Sequence, residues 1–200
     1  TCRKAWKRWT KDDCLGDLKH HAANVLEKEI NRSGRFKAFL TEVGLTRNRV
    51  QQTELDQFSP PALRIKSRFM NLRTLFTWST MILYHLDNPD SEARGEISVE
   101  RMEQKLGWLR EYADDLARWN KCQDVIDHSL SVINHHGLDA QTEPLVERAL
   151  NEHNPNWRSE DCPATRIAVQ LLDWIKQSFG KLKAGERAWL STEILESLFG

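Results

Sequence analysis

The sequence contains little that would build a zinc finger, a membrane segment or a sheet. Its four cysteines include no CxxC pair, and no histidine lies at zinc-finger spacing from them. They are therefore predicted to be reduced thiols of a cytoplasmic protein. No signal-peptide pattern is present. The most apolar stretch, residues 69–86, includes Arg73 and several polar residues, so no membrane partner is predicted.

Net charge is also absent, because 29 basic residues balance 29 acidic ones. This balance argues against a freestanding polycationic DNA-binding protein. The charge is nevertheless uneven. Basic residues dominate from Arg32 to Arg73, whereas acids outnumber bases about two to one from Asp87 to Asp161. Such an uneven distribution is typical of a protein that presents one face to an anionic partner and another to solvent. An ordinary solvated helix surface gives the same counts of acidic and basic residues.

Helical periodicity is the strongest pattern in the chain. Apolar residues at 3.6-residue spacing predict about eight helices and almost no strand. The longest cover about 62–86, after the break at Ser59-Pro60-Pro61, and about 108–135, before the capping glycine Gly137. We expect these two helices to pack side by side in an all-α body over about 35–178.

Shorter elements are predicted from local signals. Ser98 is expected to cap a helix over about 99–107. A short helix over 35–43 is expected to end at Gly44, and residues 187–190 are compatible with a short strand.

Two motifs lie at opposite ends of the chain. Asp17, His20, Ala23 and Leu26 fit the pattern Asp-x-x-His-x-x-Ala-x-x-Leu at the start of a helix. Near the other end, Gly185-Glu186-Arg187 and Ser191-Thr192 lead to Glu193 and Glu196, and Glu196 is followed by Ser197-Leu198-Phe199.

Together these motifs resemble the catalytic region of DDE-type bacterial insertion-sequence transposases. In that family the first motif carries the second catalytic acid and the second motif carries the third. Residues 61–78 and 106–112 also resemble the helical insertion of these proteins. The resemblance implies a mainly α chain. Residues 1–34 and 181–200 would be parts of a ribonuclease H-like α/β core, and residues 35–180 an all-helical insertion.

The resemblance also implies a chemistry, namely metal-dependent strand cleavage and transfer at transposon ends. Asp17 and Glu196 would be catalytic residues and ligands of Mg²⁺ or Mn²⁺, hard ions that prefer carboxylate oxygens. Asp13 is an alternative to Asp17. No upstream strand carries a first acid, so we expect a fragment that is inactive alone and takes its metal only in the complete protein. Both ends, Thr1 and Gly200, are expected to lie within a larger protein.

DNA at transposon ends is the partner that this family implies. Its predicted contacts are Arg64, Lys66, Arg68 and Arg73 on the 62–86 helix. Arg64, Arg68 and Asn71 share one helix face, which suits phosphate binding but equally suits pairing with acids of the 108–135 helix. Homo-oligomerisation is left open.

Each singled-out residue also has a plainer interpretation. Asp17 is equally well placed to cap its helix, and Glu196 to be a surface acid. Structural roles are expected for the histidines His20, His21, His135 and His136, and core positions for Trp78, Trp108, Trp119 and Trp174. The competing function is a non-catalytic helical interaction or dimerisation module.

The transposase interpretation makes a geometric prediction. Asp17 and Glu196 are far apart in sequence, but their carboxylates should lie within roughly 12 Å, the reach of a metal pair with modest motion. The measurement is the separation of the two carboxylates in an experimental structure of the Mn²⁺-loaded protein. A larger separation contradicts the assignment, and a close approach of Asp13 instead moves the site to that residue.

Overall fold

The computed structural model describes residues 18–62, 72–88 and 95–189. Over these ranges the chain is mainly helical, and its one β pairing is an isolated antiparallel bridge between Leu138 and Ala188. The predicted mainly α class is therefore confirmed. The α-helices in the described ranges are α1 (Leu18–Ile30), α2 (Arg35–Val50), α3 (Leu72–Asp87), α4 (Val99–Leu106), α5 (Ala113–His136), α6 (Thr142–His153) and α7 (Pro163–Phe179).

Contacts divide the chain into two compact units. The described residues of Thr1–Leu26 and Asp124–Gly200 belong to the first unit, and those of Glu27–Gln123 belong to the second. The second unit is thus one uninterrupted stretch of chain, whereas the first is assembled from two separated stretches. The proposed division at 1–34, 35–180 and 181–200 stays a prediction.

An aromatic cluster forms the core of the second unit. Trp119 of α5 lies with its ring centroid 5.1 Å from Phe36 and 5.2 Å from Phe39 of α2, and it stacks on Phe76 of α3 at 6.1 Å. All four rings are buried. Large aromatic surfaces dominate the energetics of such cores. The two predicted long helices therefore meet where Phe76 of α3 stacks on Trp119 of α5, while their packing side by side along their length stays a prediction.

Aliphatic side chains form the core of the first unit. α7 buries Ile167, Leu171 and Ile175 at helical spacing, and α6 buries Val146 and Leu150. A salt bridge of 2.8 Å between Lys176 of α7 and Glu143 of α6 joins the same two helices at the surface.

The predicted helix ends at Ser98 and Gly137 are confirmed. Ser98 accepts a hydrogen bond from the Arg101 backbone N–H at 3.2 Å, which satisfies a free donor of the first turn. Gly137 has a φ of 82° and donates its N–H to the Ile133 carbonyl at 2.8 Å. A side chain there would also approach the Ala188 carbonyl oxygen to 3.1 Å, so the site favours glycine twice over.

The predicted helix end at Gly44 is wrong, because α2 continues to Val50. A glycine inside a helix costs only about 1 kcal/mol relative to alanine. Buried apolar residues on both sides of Gly44, such as Phe39 and Val50, offset that cost. Of the predicted strand at 187–190, the described residues 187–189 contain only the isolated bridge at Ala188.

The four tryptophans expected in the core divide into two pairs. Trp78 and Trp119 are buried, and the indole N–H of Trp78 donates to the Phe58 carbonyl at 2.9 Å. Trp108 and Trp174 are only partly buried. The core prediction therefore holds fully for two of these rings.

The aromatic cluster yields a stability prediction. Phe36→Ala should lower the free energy of unfolding by about 3–5 kcal/mol, because it removes a fully buried ring and leaves a cavity. Urea unfolding followed by circular dichroism measures the change. The matched control is Tyr84→Ala in the same unit, where the side chain is 58% exposed and the expected change is within about 0.5 kcal/mol. Equal losses in the two variants would contradict the role of the cluster.

Candidate functional site

The predicted site residues divide into those that the structure describes and those that it does not. Arg73 lies in the first turn of α3, is partly buried and already has an interaction partner within the protein. The others lie outside the described residues: Asp17, Glu196, Arg64, Lys66 and Arg68, together with the alternative acid Asp13. The described segments nearest to Asp17 and Glu196 in sequence are α1 and the segment that ends at Trp189.

α1 begins at Leu18, immediately after Asp17 in sequence. Leu18, Ala22 and Leu26 are buried along one side of this helix, so its first turns are held firmly. His20 is exposed, whereas the adjacent His21 is partly buried. The two histidines of the motif therefore have different environments.

His21 is held by two contacts with α7. Its ring stacks on Trp174 with centroids 5.3 Å apart and planes 20° apart. The ring also makes a hydrogen bond to the backbone of Gln170. Burial lowers the pKa of His21 below its ordinary value, although the hydrogen bond to Gln170 opposes that shift. Burial of the ring therefore favours the neutral form of the imidazole.

The other feature of His21 is a shielded nitrogen. Nε2 is screened from solvent and has no hydrogen-bond partner in the part of the chain that the structure describes. A shielded polar atom without a partner costs about 1–3 kcal/mol. A structural role was expected for His21, but nothing in the sequence indicated the stack on Trp174 or this nitrogen.

The segment that leads toward Glu196 is a tight turn followed by the β bridge. Gly185 has a φ of 78°, and the Lys183 N–H donates to the Glu186 carboxylate at 2.9 Å. Leu138 and Ala188 then exchange two backbone hydrogen bonds of 2.7 and 3.0 Å. Trp189, the last described residue, is 56% exposed. This segment is therefore fixed against the turn that follows α5.

Asp139 is the polar centre of that attachment. Its Oδ2 accepts from Nε and Nη2 of Arg187 at 2.9 and 2.8 Å, and its Oδ1 accepts from His136 and from the Gln141 N–H, both at 2.8 Å. Desolvation acts to raise the pKa of Asp139, but the bonds from His136, Gln141 and Arg187 outweigh it and hold the pKa at about 2. Since its oxygens are occupied, Asp139 has a structural role, and so does His136.

A second histidine pair lies in the first unit. The rings of His128 and His153 are 4.4 Å apart, and His153 Nε2 lies 3.6 Å from the Asp124 carboxylate. His128 Nδ1 is already bonded to the Asp124 carbonyl at 2.6 Å. Across residues 18–62, 72–88 and 95–189, no group of three His, Cys, Asp or Glu side chains is placed to hold a metal ion. The pair was not predicted, because 25 residues separate its members without a motif.

Comparison with known proteins does not identify a relative. No protein-family model, no curated protein and no solved structure matches this chain. Within the described ranges, none of the helices combines the length and the apolar character needed to cross a bilayer.

The Asp139 cluster gives a pH-dependent prediction. Its folded pKa of about 2 lies below the ordinary value of 3.8, so its contribution is fully present above about pH 4 and disappears as the pH falls toward 2. Asp139→Asn should therefore lower the free energy of unfolding by about 1–2 kcal/mol at pH 7, after allowance for solvent screening. Urea unfolding at pH 7, 4 and 2.5 measures the gap between the two proteins.

Asp161→Asn is the matched control for this experiment. Asp161 also pairs with an arginine, Arg166, at 2.9 Å, but its side chain is 95% exposed. Exposed pairs contribute about 0–1 kcal/mol, so little change is expected. A gap for Asp139→Asn that persists undiminished at pH 2.5 would contradict the electrostatic origin of the effect.

Proposed function

We propose that this chain is a fragment of a DDE-type DNA transposase, which catalyses metal-dependent strand cleavage and transfer at transposon ends. In this proposal the residues around Asp17 and Glu196 belong to a ribonuclease H-like α/β core. The helices between them form the insertion of that enzyme family. The protein acts in the cytoplasm on the nucleoid.

One observation carries the proposal beyond the sequence motifs. α1, which follows Asp17, and the segment up to Trp189, which precedes Glu196, belong to the same compact unit. Of the residues between them, Glu27–Gln123 form the other unit as one uninterrupted stretch, whereas the described helices from Asp124 onward share the first unit. Such an arrangement is expected if a helical body is inserted between two parts of one catalytic core. It supports the proposal because a three-carboxylate site needs acids from distant parts of the chain.

The roles of the two acids follow from phosphodiester chemistry. Two bound divalent ions stabilise the attacking and leaving oxygens during in-line displacement. Asp17 and Glu196 supply hard oxygen ligands, and each lies in sequence at or near the predicted start of a helix. The positive end of a helix favours the ionised carboxylate. Leu18 and Ala22 are buried in α1, which follows Asp17 in sequence.

DNA contacts are proposed for the basic residues that precede and begin α3. Arg64, Lys66, Arg68 and Arg73 would bind the phosphates of the transposon end, since arginine binds phosphate oxygens in a bidentate manner. Contacts of this kind position the DNA without reading its sequence. Arg73 would have to exchange its present partner within the protein for a phosphate.

A helical interaction or dimerisation module is the second candidate. The outer side of α3 favours it, because Thr77, Met81 and Tyr84 are all exposed at i, i+4 and i+7. No charged side chain lies between them on this side of the helix. A module of this kind would bind a protein partner and would leave DNA uncleaved.

The test is strand cleavage of transposon-end DNA with Mn²⁺. The 200-residue chain alone is expected to be inactive, because two carboxylates leave a metal pair under-coordinated. A protein extended by the coding segment before Thr1 should cleave. Glu196→Gln in that longer protein should lower cleavage by at least about 100-fold, since loss even of residues that support a metal ligand costs 10–100-fold.

Glu193→Gln is the matched control, because Glu193 is the neighbouring acid three residues earlier in sequence. It should retain cleavage, and circular dichroism should show an unchanged helical content in both variants. Full activity of Glu196→Gln would show that Glu196 is not the third acid. Absence of cleavage by the longer protein itself would favour the interaction module.

A further inference from the structure

The pair of His128 and His153 lies in the first unit, where two helices come together at the surface. His128 belongs to α5, His153 is the last residue of α6, and their ring centroids are 4.4 Å apart. His128 is partly buried, whereas the side chain of His153 is 44% exposed. A small ion can therefore reach the two rings from solvent. Neither ring has a part in the proposed transposase chemistry.

A backbone hydrogen bond fixes the tautomer of the His128 ring. Its Nδ1 lies 2.6 Å from the carbonyl oxygen of Asp124. A carbonyl oxygen can only accept, so Nδ1 carries the hydrogen and Nε2 of the neutral ring carries the lone pair. Histidines that bind metals are usually oriented by such a bond from the second ring nitrogen. The Nε2 lone pair of His128 is therefore ready to bind a cation.

The ring of His153 adds a second nitrogen close by. Two nitrogens that bind one tetrahedral Zn²⁺, each about 2.0–2.1 Å from the ion, lie roughly 3.3 Å apart. With centroids 4.4 Å apart, a modest rotation of the exposed His153 side chain brings one nitrogen of each ring to this spacing. Nε2 of His153 lies 3.6 Å from the Asp124 carboxylate, which is too long for a hydrogen bond to hold it there.

The surroundings of the two rings favour a particular class of ion. The carboxylate of Asp124 places negative charge next to them, although it also has another partner within the protein. In the part of the chain that the structure describes, no three acidic, histidine or cysteine side chains are placed to hold an ion, so Asp124 supplies charge and not a third bond. Imidazole suits Zn²⁺, Ni²⁺ and Cu²⁺, whereas Mg²⁺ prefers oxygen.

We propose that His128 and His153 form a two-histidine site for a late first-row divalent ion such as Zn²⁺, with water completing the coordination. The site is independent of the proposed transposase centre, which would use carboxylates and hard ions. A bound ion joins α5 to α6 within the first unit. Structural zinc sites have four protein ligands, so a site with two binds its ion more weakly and exchanges it with solvent.

Ring ¹⁵N NMR of the histidines tests the site in the 200-residue chain. Zn²⁺ is titrated to excess at pH 7, and each ring signal is assigned by its absence from the matching His→Gln variant. The signals of His128 and His153 should change together, with Nε2 as the bound nitrogen of His128. Mg²⁺ added instead should leave both signals unchanged.

The decisive result is the dependence of one ring on the other. In His153→Gln, the response of His128 should require at least about tenfold more Zn²⁺, because even loss of a group that only supports a ligand costs 10–100-fold. His128→Gln should have the same effect on His153. Circular dichroism should show an unchanged helical content in both variants, since both changes lie at the surface.

His135→Gln is the matched control. Nδ1 of His135 is also bonded to a backbone carbonyl, that of Ser131 at 2.6 Å, but the adjacent His136 is occupied by Asp139 at 2.8 Å. This variant should leave the response of His128 and His153 unchanged. Two results would overturn the inference: a His128 response that is unaffected by His153→Gln, or a His135 response at lower Zn²⁺ than that of the pair.

Discussion

The stacking of His21 on Trp174 is the interaction on which the first unit depends. It joins the first described helix to the last, although about 150 residues lie between them in sequence. Closing so long a loop carries an entropic cost, but that cost grows only logarithmically with length. Burial of Leu18, Ala22 and the apolar side of α7 can therefore offset it. The β bridge between Leu138 and Ala188 is a second long-range contact in this unit, next to the last described residue, Trp189.

Ion pairs and hydrogen bonds within the protein occupy several of the basic side chains between Arg32 and Arg73. The excess of cations from Arg32 to Arg73 indicated a face for an anionic partner, but several of these cations are already paired. Arg35 forms an ion pair with Asp115, and Arg32 forms one with the buried Glu29. Arg47 donates to the Pro60 carbonyl. A count of charged residues therefore overstates the positive charge that this part of the chain offers to a partner.

The sequence was sufficient for most of the helices and for several of their ends. Periodic apolar residues located α3 and α5, and local chemistry located the caps at Ser98 and Gly137. Gly44 was misinterpreted because its effect is local, whereas the burial that carries α2 past it is tertiary. The helix propensity of a single residue does not decide where a helix ends when tertiary packing contributes more than about 1 kcal/mol.

The candidate site was less accessible to sequence reasoning. The contacts of His21 with Gln170 and Trp174 join residues about 150 positions apart. The ion pair in which two nitrogens of Arg187 donate to Oδ2 of Asp139 spans 48 residues, and no motif links the two side chains. Pairings of this kind arise from the fold, and a single sequence contains no periodic or local signal of them.

At Gly137 the backbone conformation itself restricts the type of residue that the position accepts. Its left-handed φ and the nearby Ala188 carbonyl both disfavour a side chain at this position. Surface charges and many core residues can exchange over evolutionary time while the fold is kept. A homologue that keeps the bridge between Leu138 and Ala188 is therefore expected to keep a glycine directly after α5. That glycine would help to align the two sequences even where most other residues differ.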